Sequence, residues 1–567
     1  MLLLLALVSA FGLFDHSLWS GNDAREGAMI AEMARDHVWV TPVFNGEHYL
    51  EKPPLLHWTG VLLCKIFCRF DARPGEASGG IREGLVRLPA ALYAFGSLLV
   101  LLSWARALNR EAAGFAAAFM CATSALFLEY SRIVLTDSAL TFMVVFSLWL
   151  FWRAYTAENF FAARYLLFLF VSAFSFYAKG LIGPGMVWLS VAVWLAYQRR
   201  WRLLCALVPL FGVVFLLVLA PWVFALWKAG GSDFIYRVFW ENQFGRFLSF
   251  DDKTLPLDPY LIHKEPIYFY LLNLPVRLLP WTLLVVPALF CWFRISKNTF
   301  REPLALFLKT SLLAIAGVLH VSSAKAACYA LPLFPLIFLM TGVWLEDAVT
   351  SGAASPWQKK LIVATLMLVC AAIMAAPAAY IAAFIFHLKA LWAPGSFAAV
   401  AGFLLALSAL SIGYASGKRL RFEFKNGRQL PAVLHMPAVL AAVGLLAGAA
   451  FIPAVDFHRT YLPFAEMALR QMKSAKNIAY AGDSERDLGA FMFYLNSRLR
   501  VVSITNDCNA ITDFASSARE SLGLIVPVDK MGIALRQARS LPFRLKEAEN
   551  AGKKSDSFRL MIFNEHH

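Results

Sequence analysis

Lys52 lies in the stretch FNGEHYLEKPPLLHW (residues 44–58), and the two prolines after it disfavour helix and fix an extended turn. A lysine held in a rigid turn suits a phosphate group as a point charge. Upstream, GNDAREGAMIAEMARD (residues 21–36) crowds Asp23, Arg25, Glu26 and Glu32 together. Asp23 is a candidate carboxylate for taking a proton or orienting a substrate. The same letters also read as a helix start. Asn22 or Asp23 caps a helix from about Arg25, with Glu26 at the third position of a capping box.

Further polar groups follow in the same style. SRIVLTDSAL (residues 131–140) carries Arg132 and Asp137, the latter either a helix cap or a second working acid. YAKGLIGPG (residues 177–185) carries Lys179 in a Gly/Pro-rich hairpin, and SSAKAACYALPLFP (residues 322–335) carries Lys325 and Tyr329 in another. ENQFGRF (residues 241–247) adds Glu241 and Arg246. His263 with Glu265 could begin a metal site but lacks a third ligand, so a divalent metal ion is left open.

These groups must be positioned by an apolar chain. Of 567 residues, 59% are apolar and only 16% charged, against roughly a quarter charged in soluble proteins. The apolar residues run continuously, in blocks suited to helices that cross a bilayer and not to the alternating strands of a barrel. Spans are expected at 1–14, 87–105, 112–129, 138–152, 165–178, 181–197, 203–227, 267–293, 304–321, 329–346, 361–385, 396–415 and 434–453, about thirteen in all. The first lacks the basic start and small-residue cleavage site of a signal peptide, and is read as a short first membrane helix.

The net charge of +15 does not point to nucleic acid, because Lys and Arg fall in short clusters between apolar blocks. ARALNR (105–110), QRRWR (198–202), RISKNTFR (294–301), WQKK (357–360) and GKRLRFEFKNGR (417–428) share one side under this count, which makes that side cytoplasmic. The opposite side then holds residues 15–86, the hairpins with Lys179 and Lys325, and the tail. Lysines on that side run against the positive-inside bias, so they call for another reason, and an anionic ligand is one. The eight cysteines lie mostly within apolar blocks and imply no disulfide framework. After Val455 the composition becomes mixed. NIAYAGD, LRVVSI and GLIVPV read as strands, and RDLGAFMFYLN and KMGIALRQAR as helices, giving a small α/β domain over 456–567 beside a membrane domain over 1–455.

In this order, the motifs FNGEHYLEKPPL, RIVLTDSAL, YAKG, ENQFGRF, EPIYFYLLNLPVRLLPW and SSAKAACYALPLFP, led by the Asp-x-Arg-Glu of residues 23–26, resemble the bacterial protein mannosyltransferase-like membrane glycosyltransferases. The branch most similar is that of the lipid A 4-amino-4-deoxy-L-arabinose transferases, and GAFMFYLNSRLRVV resembles part of their C-terminal domain. The resemblance covers about the first 350 residues and that tail motif. It implies an all-α polytopic GT-C fold with a small periplasmic α/β domain. It also implies transfer, on the periplasmic side of the bacterial inner membrane, of a sugar from undecaprenyl phosphate to lipid A or another envelope glycan. Residue by residue, it implies a catalytic Asp23 and Asp137 and a donor phosphate met by Lys52, Lys325 and Tyr329. The cations Lys179 and Arg246 on the same face would join them at the developing phosphate charge. Two departures stand out. The family's Asp-Glu is Asn22-Asp23 here, and SSAKAACY replaces a Gly-Lys-Leu-Pro-x-Tyr hairpin.

A related enzyme acting on a protein hydroxyl would use the same residues. A secondary transporter would show repeated halves with charges near the midplane, whereas here they gather at one face. A non-catalytic scaffold has no use for phosphate-type lysines. The reading predicts that a reporter fused after Val455 is active only if it works when exported; activity of a cytoplasmic reporter there would overturn the topology.

Overall fold

The computed structural model of the chain describes residues 1–19, 21–67, 81–157, 162–245, 265–294, 302–322, 325–350, 356–385, 396–425, 429–472, 474–504, 510–516, 521–539, 541–547, 554 and 556–563. Helices dominate. Among the described residues, six stretches are long and apolar enough to cross a membrane: Glu83–Ala107, Asp137–Tyr155, Trp201–Gln243, Pro303–Val321, Ala327–Thr350 and Pro356–Ala379. The chain is therefore a multi-pass membrane protein. Many outward residues are apolar, with Leu216 and Leu217 on the Trp201–Ile235 helix largely exposed to what would be lipid.

Each expected span falls on helix, but several are divided. The 165–178 segment is two helices, Ala162–Phe174 and Phe176–Lys179. The 267–293 segment is Phe269–Arg277 and Thr282–Arg294, with Pro280 between them unable to donate the hydrogen bond that continuation needs. The 329–346 segment opens as a 3₁₀ turn, Ala327–Leu333, before the helix Phe334–Thr350. The first expected span, read as a short one, is the shortest. Its helix, Leu2–Ala10, has 9 residues, about half of what a bilayer crossing takes. Arg132 finishes it, donating from Nη2 to the Val8 carbonyl at 2.8 Å and from Nε to that of Phe11.

The helix Gly21–Asp36 is the element on which the polar residues depend. Ala24, Ala28 and Ala31 recur at helical spacing, are buried, and are small enough for close neighbours. Against it packs Glu485–Leu495, whose N-terminus Ser484 caps by accepting from the Asp487 N–H. The two approach so closely that a Cβ on Gly489 would lie 2.6 Å from Arg25 Cα. Ion pairs flank the contact: Arg25 to Glu485 at 3.0 Å, and Arg498 to Glu32 at 2.6 Å and Asp36 at 2.7 Å. Asn45 completes it with two hydrogen bonds to the Leu499 main chain.

The Glu485–Leu495 helix belongs to a five-stranded sheet in the order Arg500–Val501, Ile478–Tyr480, Leu522–Pro527, Phe558–Phe563, Phe543–Lys546. The first three strands are parallel and the last two antiparallel. The last two were not read from the sequence. One face of this sheet shares a continuous apolar core with the Gly21–Asp36 helix through Phe464, Phe491, Phe493 and Phe558. Replacing Gly489 with alanine should push these helices apart at a cost of about 1–3 kcal/mol. A lower melting temperature and faster proteolysis beyond residue 455 would show it, and an unchanged melt would refute the close approach.

Candidate functional site

Asp23 does not cap its helix, which begins at Gly21 and carries Asp23 in its first turn. Its carboxylate is 2% exposed and takes hydrogen bonds from Arg87 Nε at 3.0 Å and Nη2 at 2.9 Å. The other oxygen accepts from the Val134 N–H at 2.8 Å. Arg87 is itself buried, and its remaining donors reach the carbonyls of Leu13, His16 and Ser17. Asp23 thus joins the first loop, the Ile81–Ala107 helix and the segment before Asp137. That placement suits an anchor better than a base, which must reach a proton on a substrate.

Glu26 is the residue the sequence undervalued. The capping box does not form. Instead the carboxylate, fully buried, gathers Lys52 Nζ at 2.6 Å and Arg25 Nη2 at 3.3 Å on Oε1, and His57 Nε2 at 3.0 Å on Oε2. Burial alone would raise its pKa, but Lys52, His57 and Arg25 outweigh that and hold it well below the usual carboxylate range. Arg25 is pulled the opposite way: burial would lower its pKa, and Glu26, Tyr49 and Glu485 raise it further. The signal for this cluster was present in the sequence as Glu26, Lys52 and His57, but only the fold shows that the helix from Leu55 to Phe67 turns His57 inward beside the Lys52 turn.

A second cluster joins Asp137, Lys179 and Tyr329. Asp137 opens the helix Asp137–Tyr155 without capping it, and its carboxylate takes Lys179 Nζ at 2.5 Å. The same ammonium lies 4.1 Å from the centre of the Tyr329 ring, a cation–π contact.

The segment Tyr236–Gly245 ties the two clusters together. Asn242 donates to the Leu50 carbonyl, two residues before Lys52, at 3.4 Å. Gln243 accepts from the Leu181 N–H, two residues after Lys179, at 3.0 Å. Gly180 between them has φ +76°, and a Cβ there would strike the Gln243 side chain, so YAKG needs its glycine on both counts. An aromatic wall of Trp58, Tyr177 and Trp222 runs alongside, with ring centres 5.2 Å and 5.5 Å apart in sequence.

The other sequence candidates are placed differently. Lys325 is buried and donates to the carbonyls of Ser322 at 2.5 Å and Glu265 at 3.1 Å, closing the C-terminal end of Pro303–Val321. It shares a turn with Tyr329, whose N–H bonds the Ala326 carbonyl. Glu265 is exposed. Arg246 and His263 lie outside the described residues. Among the described residues no three His, Cys, Asp or Glu side chains gather as metal ligands, so Glu265 gains no partner set there.

Residues 51–226 match the family model described as dolichyl-phosphate-mannose-protein mannosyltransferase. The undecaprenyl phosphate-alpha-4-amino-4-deoxy-L-arabinose arabinosyl transferase of Pseudomonas paraeruginosa is 31% identical over 348 residues, 59% of this chain and 58% of the relative. That of Edwardsiella ictaluri is 28% identical over 330 residues, 57% of this chain and 55% of the relative. The chain thus spans well under two thirds of the length of these curated relatives. Among solved structures, ArnT from Cupriavidus metallidurans bound to undecaprenyl phosphate superposes with a TM-score of 0.72 at 18% identity, covering 100% of this chain and 97% of that one. At that identity the likeness speaks for the fold, which is of the ArnT type.

The Asp23–Arg87 pair yields a clear expectation. Asp23→Asn leaves a buried guanidinium without its counter-charge and should cost about 3–5 kcal/mol of stability. Arg87→Met in the same chain should recover much of that loss. Thermal unfolding in detergent measures both, and an Asp23→Asn protein as stable as wild type would show that the pair anchors nothing.

Proposed function

We infer that this chain, a GT-C-type relative of the lipid A aminoarabinose transferases, moves a sugar from undecaprenyl phosphate to an acceptor on the periplasmic face of the inner membrane. The acceptor read here is lipid A or another anionic envelope glycan. The supporting fold is that of about thirteen spans, with loop 15–86 and an α/β domain over 456–567 on the periplasmic side. The observation that carries the reading is the pair of ammonium groups, Lys52 and Lys179, each seated on a buried carboxylate and joined through the Asn242–Gln243 bridge.

When the sugar leaves its carrier, negative charge develops on the lipid phosphate. Fixed cations stabilise that charge because they need no reorganisation at the moment of reaction. Lys52 and Lys179 take that role, with Tyr329 holding Lys179 by its ring face and Arg246 of ENQFGRF joining from its motif. Lys325 shapes the turn that presents Tyr329. Asp137 sets the direction of Lys179, and Asp23 fixes the first loop against the bundle.

The choice of acceptor follows from the carboxylates. A protein hydroxyl needs a base to take its proton, whereas a phosphate is already an anion. Asp23 is bound by Arg87 and Asp137 by Lys179, so the two acids read from the sequence are both neutralised by cations. This favours the phosphate of lipid A over a protein hydroxyl.

The test is transfer by the purified full-length protein, given undecaprenyl phosphate-linked aminoarabinose and lipid A. Wild type should modify lipid A. Lys52→Ala and Lys179→Met should fold and lose on the order of 10²–10³-fold in turnover. Mass spectrometry of lipid A gives the readout. No modification by wild type with any undecaprenyl-linked sugar would sink the reading.

A further inference from the structure

The Glu26 carboxylate sits at the middle of a row of alternating charges. From the C-terminal part inward it runs Glu485, Arg25, Glu26, Lys52, with contacts of 3.0 Å, 3.3 Å and 2.6 Å. Arg25 and Lys52 meet the same oxygen, Oε1, while His57 holds Oε2 at 3.0 Å. We propose that Glu26 is the positioning residue for Lys52, and that the C-terminal helix sets this position from outside through Glu485 and Arg25. The proposal rests on the reading that Lys52 faces the carrier phosphate.

The geometry gives the proposal its direction. One carboxylate oxygen shared by two cations is a competition. Glu485 draws Arg25 outward with Nη1, so that Nη2 makes the longer contact and Lys52 the shorter one. Without the Glu485 charge, Arg25 is free to close on Oε1 and Lys52 must yield. His57 is fully buried and, among the described residues, its other nitrogen, Nδ1, has no hydrogen-bond partner. Its ring is therefore spent on Glu26 alone and fixes the carboxylate plane. Among the described residues Lys52 Nζ donates only to Glu26, which leaves its other two N–H groups for an anion. The C-terminal part thus touches the reaction without contributing a group that meets the substrate.

Glu485 is well exposed, so its substitution does not threaten the fold. The experiment uses the purified full-length chain with an undecaprenyl phosphate-linked sugar, and compares wild type, Lys52→Ala, Glu485→Gln, Glu485→Asp, Glu26→Gln and Glu26→Asp. Melting temperature, kcat, and affinity for undecaprenyl phosphate are measured on each.

Glu485→Gln is expected to melt like wild type yet lose about two- to fivefold in kcat, the scale of a partly exposed ion pair. Glu485→Asp should recover most of it. Glu26→Gln, where it folds, should lose on the order of 10²-fold in kcat while binding undecaprenyl phosphate more tightly, because Lys52 no longer shares its charge. Glu26→Asp should fall between the two. A purely structural role would lower the melt and leave kcat and affinity per folded molecule in step with wild type. If wild type binds no undecaprenyl phosphate, or Lys52→Ala keeps full turnover, the functional reading fails and this proposal with it. If both behave as that reading requires and Glu485→Gln and Glu26→Asp match wild type in kcat and affinity, the positioning role alone is overturned.

Discussion

The buried carboxylate of Glu26 holds Lys52, Arg25 and His57 at once, in a chain with few charges to spare. A lone carboxylate taken out of water would neutralise itself by binding a proton. With these partners it stays ionised, and it obliges each partner to remain where it is. Loop 44–58, the Gly21–Asp36 helix and the Leu55–Phe67 helix are therefore tied together at one point. Asp23 with Arg87 does the same work one helical turn earlier, against the Ile81–Ala107 helix. Asp137 with Lys179 does it across the Asp137–Tyr155 helix and the YAKG hairpin.

Each of these pairs is costly to bury, and none would be favoured for stability alone over a well-packed apolar contact. Their common feature is that a cation ends up in a set place near a loop, held by a counter-charge on a rigid helix. Sites built on helices are more exact than sites carried by loops alone. The apolar bundle supplies the rigid part. The C-terminal sheet supplies a second wall, because its Glu485–Leu495 helix presses on the outer side of the Gly21–Asp36 helix at Gly489.

Six of the expected spans were legible in the sequence because a membrane span is a long apolar run, and composition alone reveals it. The divisions within other spans were not, since Ser175 and Pro280 break helices inside runs that read as continuous. In the C-terminal part the buried strands at 478–480 and 522–527 carried the apolar pattern of a parallel core, whereas Phe543–Lys546 is a largely exposed edge strand in which Arg544 and Lys546 alternate with apolar residues, and it gave little signal. For the site, the motif residues Lys52, Asp137, Lys179 and Tyr329 all lie in the two clusters. They did not give partners. The pairing of Asp23 with Arg87 was not visible because Arg87 lies 64 residues away, and the partners of Glu26 were not visible because its cations come from a loop and a helix that only the fold brings round. Nor did the motifs show that Lys325 donates to two carbonyls, those of Ser322 and Glu265.

The departure Asn22-Asp23, where the resembled family often has Asp-Glu, gains a physical sense from these contacts. A second acid at position 22 would add negative charge beside a carboxylate already neutralised by a single buried arginine. Nearby, Glu26 already balances Lys52 and Arg25. Asparagine keeps the polar character of the helix start without that excess. The cost of the change falls on acid–base chemistry, since one carboxylate fewer stands near the loop. A reaction whose acceptor arrives as an anion loses least by it. The charge balance of the first loop and the nature of the proposed acceptor therefore point the same way: toward a site that binds and orients phosphates with fixed cations, and asks little of its acids beyond holding those cations still.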